Sequence, residues 1–385
     1  MKHRIPQTIL ALLLTVLVAA GLFPLAAFAD ETDREPSRRA LQTLEQTGAY
    51  LVQAIPQPSV GSVGGEWAVL GLARAEYPVP EGYFDTYLLN LEQALRQTNG
   101  VLHDRKYTEY SRTVLALTAL GCSPCDVAGY DLLAPLTDFD KVIWQGINGP
   151  IFALLALDAG DHSLPPAPDG VTPTSRDALI HHILGQQLPD GGWSFGGSIS
   201  EPDTTAMAIQ ALAPYATAQP KVGEAMEQGL TALSAMQNDQ GGFGPSSEAC
   251  SQVLVAVTAL GIDPEADARF IKDGHSVLDG LLAFCQEDGS FLHVAQGGAD
   301  RMATEQAFYA LAAYGRYCDG KTPLYDMSDV SPLAGTPLPD TQLGDTSVRT
   351  EQEHDPMPPM VWLWDIPLVL AIGFGLAALH RNKGR

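Results

Sequence analysis

Basic residues are scarce in this chain. Lys and Arg total 22 against 45 Asp and Glu, for a formal net charge of −23. Such a surface repels nucleic-acid phosphates, and no basic stripe interrupts it, so nucleic acid is not expected as a partner. Much of the acid reads as a solubilising surface. Cysteine is scarce too, and five residues are too few for a disulfide scaffold. Cys122 and Cys125 have redox spacing, yet no strand–helix context of a thioredoxin kind precedes them. They read as thiols in a helix turn or as a pair open to oxidation, and Cys285 with Cys318 is a second candidate pair. No further Cys pair completes a four-thiolate zinc site. A strand–turn–helix nucleophile motif and a phosphate-cradling glycine loop are both missing, which removes support for Ser/His/Asp hydrolysis and nucleotide chemistry.

What is present begins at the two ends. Residues 1–29 read as a signal peptide: Lys2 and Arg4, an apolar run from Ile9 to Val18, and the small-residue cleavage site Ala27-Phe28-Ala29. An uncleaved anchor is the alternative. A second apolar run makes a transmembrane helix over 361–380, with Trp362 and Trp364 at its outer end. Arg381, Lys383 and Arg385 form a basic tail over 381–385, which places that side in the cytoplasm and the body outside the cell. Residues 321–360, rich in Pro, Asp, Thr and Gly, are expected as a disordered stalk linker. Within it Leu338-Pro339-Asp340-Thr341-Gln342 resembles the Leu-Pro-x-Thr-Gly sortase signal, with Gln342 in place of Gly. The expected product is an exported protein anchored in the cytoplasmic membrane.

The body, residues 30–320, carries an internal repeat. Gln187-Leu188-Pro189-Asp190-Gly191-Gly192-Trp193 precedes an apolar stretch from Asp203. Gln237-Asn238-Asp239-Gln240-Gly241-Gly242-Phe243 precedes another from Glu248, and Gln286-Glu287-Asp288-Gly289-Ser290-Phe291 a third from Thr304. A period of about 50 residues marks an architecture whose units bury their apolar faces against each other. Six stretches are apolar on nearly every face and read as buried helices: 66–77, 109–120, 147–158, 203–215, 248–260 and 304–314. Between them run amphipathic stretches such as 86–97, 177–187, 222–236 and 276–285. The expected fold is all-α, an (α/α)6 toroid of two concentric rings. Parallel inner helices would bring their N-termini, with free N–H groups and positive dipole ends, to one mouth suited to a polar ligand.

These turns and the six-plus-six pattern resemble the α/α toroid of terpenoid cyclases and protein prenyltransferases, over the whole body and most closely from Gln187 to Tyr317. Cobalamin carriers of the intrinsic-factor type use the same toroid for binding alone, with an added β domain that this chain lacks. Thioester-containing complement proteins also share it, but their Gly-Cys-Gly-Glu-Gln is absent. The resemblance implies a fold more than an activity. Class II cyclases protonate an alkene with Asp-x-Asp-Asp. The nearest match, Asp138-Phe139-Asp140-Lys141, ends in a base and sits in an expected loop, where a solvated turn is the simpler reading.

Prenyltransferases hold zinc with Asp, Cys and His. Aligning the repeats puts Glu248-Ala249-Cys250 on the Asp-x-Cys positions and Glu305 on that of the His. Glu248, Cys250 and Glu305 are therefore a candidate divalent-metal set, with zinc the metal the resemblance implies. The alternative makes the two acids dipole partners at helix N-termini and Cys250 a small core residue.

The remaining mouth candidates for ligand binding are Glu66, Trp67, Tyr110, Arg112, Trp144, Asn148 and Asp203, together with Glu248 and Glu305. The aromatic faces suit a sugar, a corrinoid or an isoprenoid, or else pack the core. Glu66, Asp203 and Glu248 suit acid–base work of the glycoside-cleaving kind, or helix capping. No catalytic residue is assigned. The leading expectation is a ligand-binding surface module, ahead of a cyclase- or prenyltransferase-like enzyme and a polysaccharide-active α/α barrel.

Overall fold

The computed structural model describes residues 35–333. The expected signal peptide, the part of the expected stalk beyond 333, the expected membrane helix and the basic tail lie outside the described residues. Among the described residues no single helix is long and apolar enough to cross a membrane.

Twelve α-helices alternate between two roles among the described residues. The inner six are α2 (Trp67–Arg74), α4 (Thr108–Ala119), α6 (Asn148–Ala159), α8 (Pro202–Leu212), α10 (Ser247–Ala259) and α12 (Arg301–Cys318). The outer six are α1 (Glu35–Ala54), α3 (Tyr83–Thr98), α5 (Phe139–Val142), α7 (Arg176–Gly185), α9 (Pro220–Met236) and α11 (Val277–Leu282). All six inner helices lie where the apolar stretches put them. The outer ring gains α1, which the sequence reading did not assign, and its third member, α5, is one turn long.

The roles follow from side-chain pattern. From Gly149 to Leu157 every residue of α6 is buried, so the helix is solvated on no face. In α3 the buried residues are Tyr83, Tyr87, Leu91 and Leu95, a single stripe at a spacing of four with half-buried or exposed residues between.

The inner helices close a ring. Each of α2, α4, α6, α8 and α10 packs on the next, and α12 packs back on α2. They also run parallel, because like ends meet. Near the N-termini Arg112 of α4 reaches Glu66 before α2, and Glu305 of α12 accepts the N–H of Gly64. Near the C-termini Arg316 of α12 donates to the carbonyl of Arg74 in α2, and Tyr215 after α8 donates to Asp158 of α6. Halfway down, Gln210, Gln252 and Gln306 form a bonded ladder across α8, α10 and α12. Six parallel helices in a closed circle form the toroid expected from the repeat.

The repeated turn does one mechanical job three times. Gly191, Gly241 and Gly289 adopt positive φ (93°, 80° and 86°), which lets the chain reverse after each outer helix. The aromatic that follows is fully buried each time: Trp193, Phe243 and Phe291. Its backbone N–H is then taken by a side chain in the first turn of the next inner helix, from Trp193 to Thr205 Oγ1, from Phe243 to Cys250 Sγ and from Phe291 to Thr304 Oγ1. The turn glutamine ties the turn to the neighbouring outer unit, Gln187 through Ala225 O and Gln237 through Phe270 O.

One boundary is corrected. Residues 321–333, expected as the start of a disordered stalk, pack across the C-terminal ends of the inner helices. Leu324 and Met327 are buried, the Met327 N–H donates to Ala159 O at 3.0 Å, and the Leu333 N–H donates to Gly121 O at 2.8 Å. The buried guanidinium of Arg74 holds this strap through the carbonyls of Pro323, Leu324 and Asp326, and both Arg74 and Arg316 pair with Asp329. Composition alone marked the segment as linker, but two buried cations at the helix ends need its carbonyls and carboxylate.

Candidate functional site

The N-terminal ends of α2, α4 and α6 open into a cleft of about 790 Å³. Four of the nine residues expected at the mouth line it: Trp67, Arg112, Trp144 and Asn148. Trp144 is 59% exposed in the irregular turn before α6, its ring 5.8 Å from the Arg105 guanidinium. Trp67 forms part of the floor, with Phe152 at 5.7 Å on one side and Tyr309 at 5.6 Å on the other. Trp67 and Phe152 both line the cleft, and the Tyr309 hydroxyl beneath them bonds to Gln252 and Gln306 of the glutamine ladder.

Beneath its wall lies an ionic cluster. Glu66 is fully buried at the start of α2. Its carboxylate accepts the Gly61 N–H on both oxygens (3.1 and 3.0 Å), the Tyr87 hydroxyl at 3.2 Å and Arg112 Nε at 3.0 Å. Arg112 also pairs with Glu109, which lines the cleft. Burial alone would lower the Arg112 pKa, but the two carboxylates more than offset that and hold it above its ordinary value, whereas burial raises the Glu66 pKa against the pull of Arg112. Glu66 thus acts as a fixed anchor. It joins the loop before α2 to α4, and its lone pairs are spoken for.

Other polar groups in the cleft are less committed. The side-chain oxygen of Asn148, buried in the wall, has no hydrogen-bond partner in the protein. Gln145 accepts the backbone N–H and the hydroxyl of Thr108 at 3.0 and 3.1 Å, which locks the turn that carries Trp144. His103, Lys106 and Phe195, which the sequence reading did not select, complete the rim. They sit in irregular segments before α4 and α8, where no periodicity points to a face. Their one legible signal was that each precedes an inner-helix start.

The other five expected residues lie elsewhere. Tyr110 is buried, lies tilted against Tyr107 with ring centroids 5.5 Å apart and accepts the Leu102 N–H through its hydroxyl, so it packs the α4 entry. Asp203 sits in the first turn of α8, where Oδ1 accepts the Thr204 N–H and burial raises its pKa. Glu248 faces His293 at 2.8 Å on the α10 side of the mouth. Burial raises its pKa too, with His293 working against that. Glu305 is fully buried between α12 and the turn before α2. Its Oε1 accepts the Gly64 N–H at 2.8 Å, its Oε2 has no partner, and burial drives the pKa up to about 8. Glu66 is near the cleft but under its surface.

The candidate metal set does not assemble. Among the described residues no three His, Cys, Asp or Glu side chains are grouped to hold a metal ion. Glu248 is spent on His293 and Glu305 on Gly64. Cys250 is wholly buried, its pKa is pushed by burial to about 12, and its sulfur takes the turn N–H that Thr205 and Thr304 take in the sister repeats. A metal-binding thiolate needs the opposite environment. Alignment with a zinc motif picked the correct helix turn but mistook a structural acceptor for a ligand. Asp138, first residue of the altered acid motif, caps α5 through the Lys141 N–H and pairs with Lys141 at 3.2 Å. None of the five cysteines forms a disulfide in this structure.

No protein-family model and no curated protein matches the sequence. Among solved structures, the chain is similar to the apo form of the type II terpene cyclase MstE from Scytonema (14% identity, 73% of this chain and 99% of that one, TM-score 0.49). It is similar also to a variant of that enzyme in complex with geranylgeranyl dihydroxybenzoate (13%, 73% and 98%, 0.46) and to a glycosyl hydrolase of family 88 from Bacteroides vulgatus (10%, 71% and 97%, 0.42). At such identities and scores the similarity carries no information on chemistry.

Proposed function

We propose that this chain is an exported, membrane-tethered α/α toroid that binds a small polar ring-shaped ligand, a sugar or a corrinoid, at the mouth formed by α2, α4 and α6. The observation that carries this reading is the pairing of an exposed indole, Trp144, with the unfilled acceptor of Asn148 in one cleft. A flat exposed ring offers stacking area to a ligand ring, and a buried acceptor without a partner favours a ligand that donates a hydrogen bond. Cleft size also fits a small molecule. The export signal and the anchor rest on the sequence of the two ends.

Two features weigh against an isoprenoid cyclase. Trp67, Phe152 and Tyr309 pack ring against ring at the floor of the cleft, and Asp138, in the nearest match to the cyclase acid motif, is held by Lys141. A glycoside-cleaving role would need two carboxylates flanking a bond. Among the described residues that line the cleft, Glu109 is the one carboxylate, and Arg112 holds it.

The test titrates the full-length protein with a set of neutral oligosaccharides, with dicyanocobinamide and with geranylgeraniol, reading tryptophan fluorescence. A saturable response to a sugar or the corrinoid, lost in Trp144→Ala and weakened at least tenfold in Asn148→Leu, is expected. A response to geranylgeraniol alone, or one indifferent to both substitutions, sinks the reading.

A further inference from the structure

At the opposite end of the barrel lies a second cavity that the mouth does not explain. It measures about 530 Å³ and sits where the C-terminal ends of α6, α8 and α10 meet the strap. Its walls are Leu155, Ala211, Val255 and Ala259 on the helices and Leu324 and Tyr325 on the strap. Gln210 projects from α8 into this wall and is only 4% exposed. Its Nε2 donates to Gln252 O at 2.8 Å and Gln252 Oε1 at 3.1 Å, which fixes the amide orientation. Its Oε1 is therefore a committed acceptor, and it has no partner in the protein. A buried acceptor left empty costs about 1–3 kcal/mol, so its persistence beside a cavity points to an occupant with a donor.

The charge around the cavity selects the donor. Asp158, Asp161 and Asp326 line it against one cation, Arg176. Arg176 is spent: its Nε lies 2.7 Å from Asp158 Oδ1, and Tyr215 donates to both oxygens of the same carboxylate at 2.9 and 2.8 Å. Behind the strap Arg74 and Arg316 share Asp329, and their remaining N–H groups donate to strap carbonyls. Asp161 also reaches Arg176, in a longer contact of 3.5 Å, and Asp326 accepts from Ser328, but three carboxylates against one guanidinium leave the rim net negative, so an anion would be repelled and a protonated amine would meet acceptors.

We propose that this strap-closed pole is a second binding site, for a small primary amine with an apolar body, the ammonium directed at Gln210 and the acidic rim and the body against the aliphatic wall. The site is independent of the mouth and of whatever binds there.

Two fluorinated probes of equal size test it on the full-length protein in lipid nanodiscs: 4-fluorophenethylamine and 3-(4-fluorophenyl)propionate, each followed by fluorine NMR line broadening. The amine is expected to bind saturably and the carboxylate at least tenfold more weakly, a comparison that needs no variant. Ala259→Phe, which fills the cavity from a wall that makes no polar contact, and Gln210→Leu should each weaken the amine tenfold or more with the helical circular dichroism kept. Trp144→Ala should leave it unchanged. Equal binding of the two probes, no saturable binding of the amine, survival of amine binding in a folded Ala259→Phe protein, or its loss in Trp144→Ala would each overturn the proposal. The last of these would assign the amine to the mouth.

Discussion

The two poles of this barrel are ends of the same six helices, yet they are finished in opposite ways. At the N-terminal pole the connections are irregular turns, and they leave Trp144 standing in solvent above a cleft. At the C-terminal pole a single strap, residues 321–333, is drawn down by two buried arginines. Helix polarity accounts for much of the difference. C-terminal ends present carbonyls and a negative dipole, so Arg74 and Arg316 are well placed there and can bind a strap through its own carbonyls and Asp329. N-terminal ends present N–H groups and a positive dipole, and acids collect there: Glu66, Glu109, Asp203, Glu248 and Glu305. Four of these acids, Glu66, Asp203, Glu248 and Glu305, are among the nine residues expected in the binding site. Most of those acids serve the fold.

The comparison can be broken first at the mouth. Arg112→Met strands the buried Glu66 carboxylate and should cost about 3–5 kcal/mol, seen as a large fall in denaturation midpoint. A loss under about 1 kcal/mol would mean that Glu66 is neutral in the folded protein. Glu305 offers a subtler lever on the same pole. Its folded pKa of about 8 lies above the unfolded value of 4.5, so the folded state holds the proton more tightly. Stability from this group is full below about pH 4.5 and is lost as pH rises toward 8, by roughly 5 kcal/mol at about 1.4 kcal/mol per unit. Glu305→Gln should flatten that slope in denaturant titrations at pH 5 and pH 8, and an unchanged slope would reject the assignment.

At the other pole Asp329→Asn removes the shared partner of Arg74 and Arg316. Asp329 is partly exposed, which tempers the effect to about 2 kcal/mol. Hydrogen exchange should quicken over 321–333 while the mouth stays protected. Asp329 has its pKa held down to about 2 by the two guanidiniums, so this contribution is present above the unfolded value of 3.8 and fades as pH falls toward 2. The smallest expected effect separates structure from chemistry at Cys250. Cys250→Thr should change stability by less than about 1 kcal/mol, because Thr205 and Thr304 do the same work in the sister turns. Loss of activity or of bound metal in that variant would restore the ligand role.

The inner ring was legible because its signal is redundant. Residues such as Gly149 to Leu157 are apolar on all sides, and three copies of one glycine–aromatic turn punctuate the helices. Helix α1 was missed because its start adjoins the export segment and no repeat turn announces it. The candidate site was legible only in part. Trp67, Arg112, Trp144 and Asn148 were found by their place near helix starts, whereas His103, Lys106 and Phe195 come from loops whose course no pattern encodes.

By itself, then, the sequence determined the period, the buried and half-buried helices, and hence a closed ring, because helices apolar on every face can be satisfied only by neighbours on every side. Tertiary structure alone decided which polar residues face solvent and which face each other. It put Cys250 under a turn N–H, set Glu66 beneath the mouth and drew the strap over the far pole. A hydrogen bond or an ion pair depends on distances of a few tenths of an ångström between segments more than 40 residues apart, as from Arg112 to Glu66 and from Arg74 to Leu324. Spacing along a chain does not carry that information.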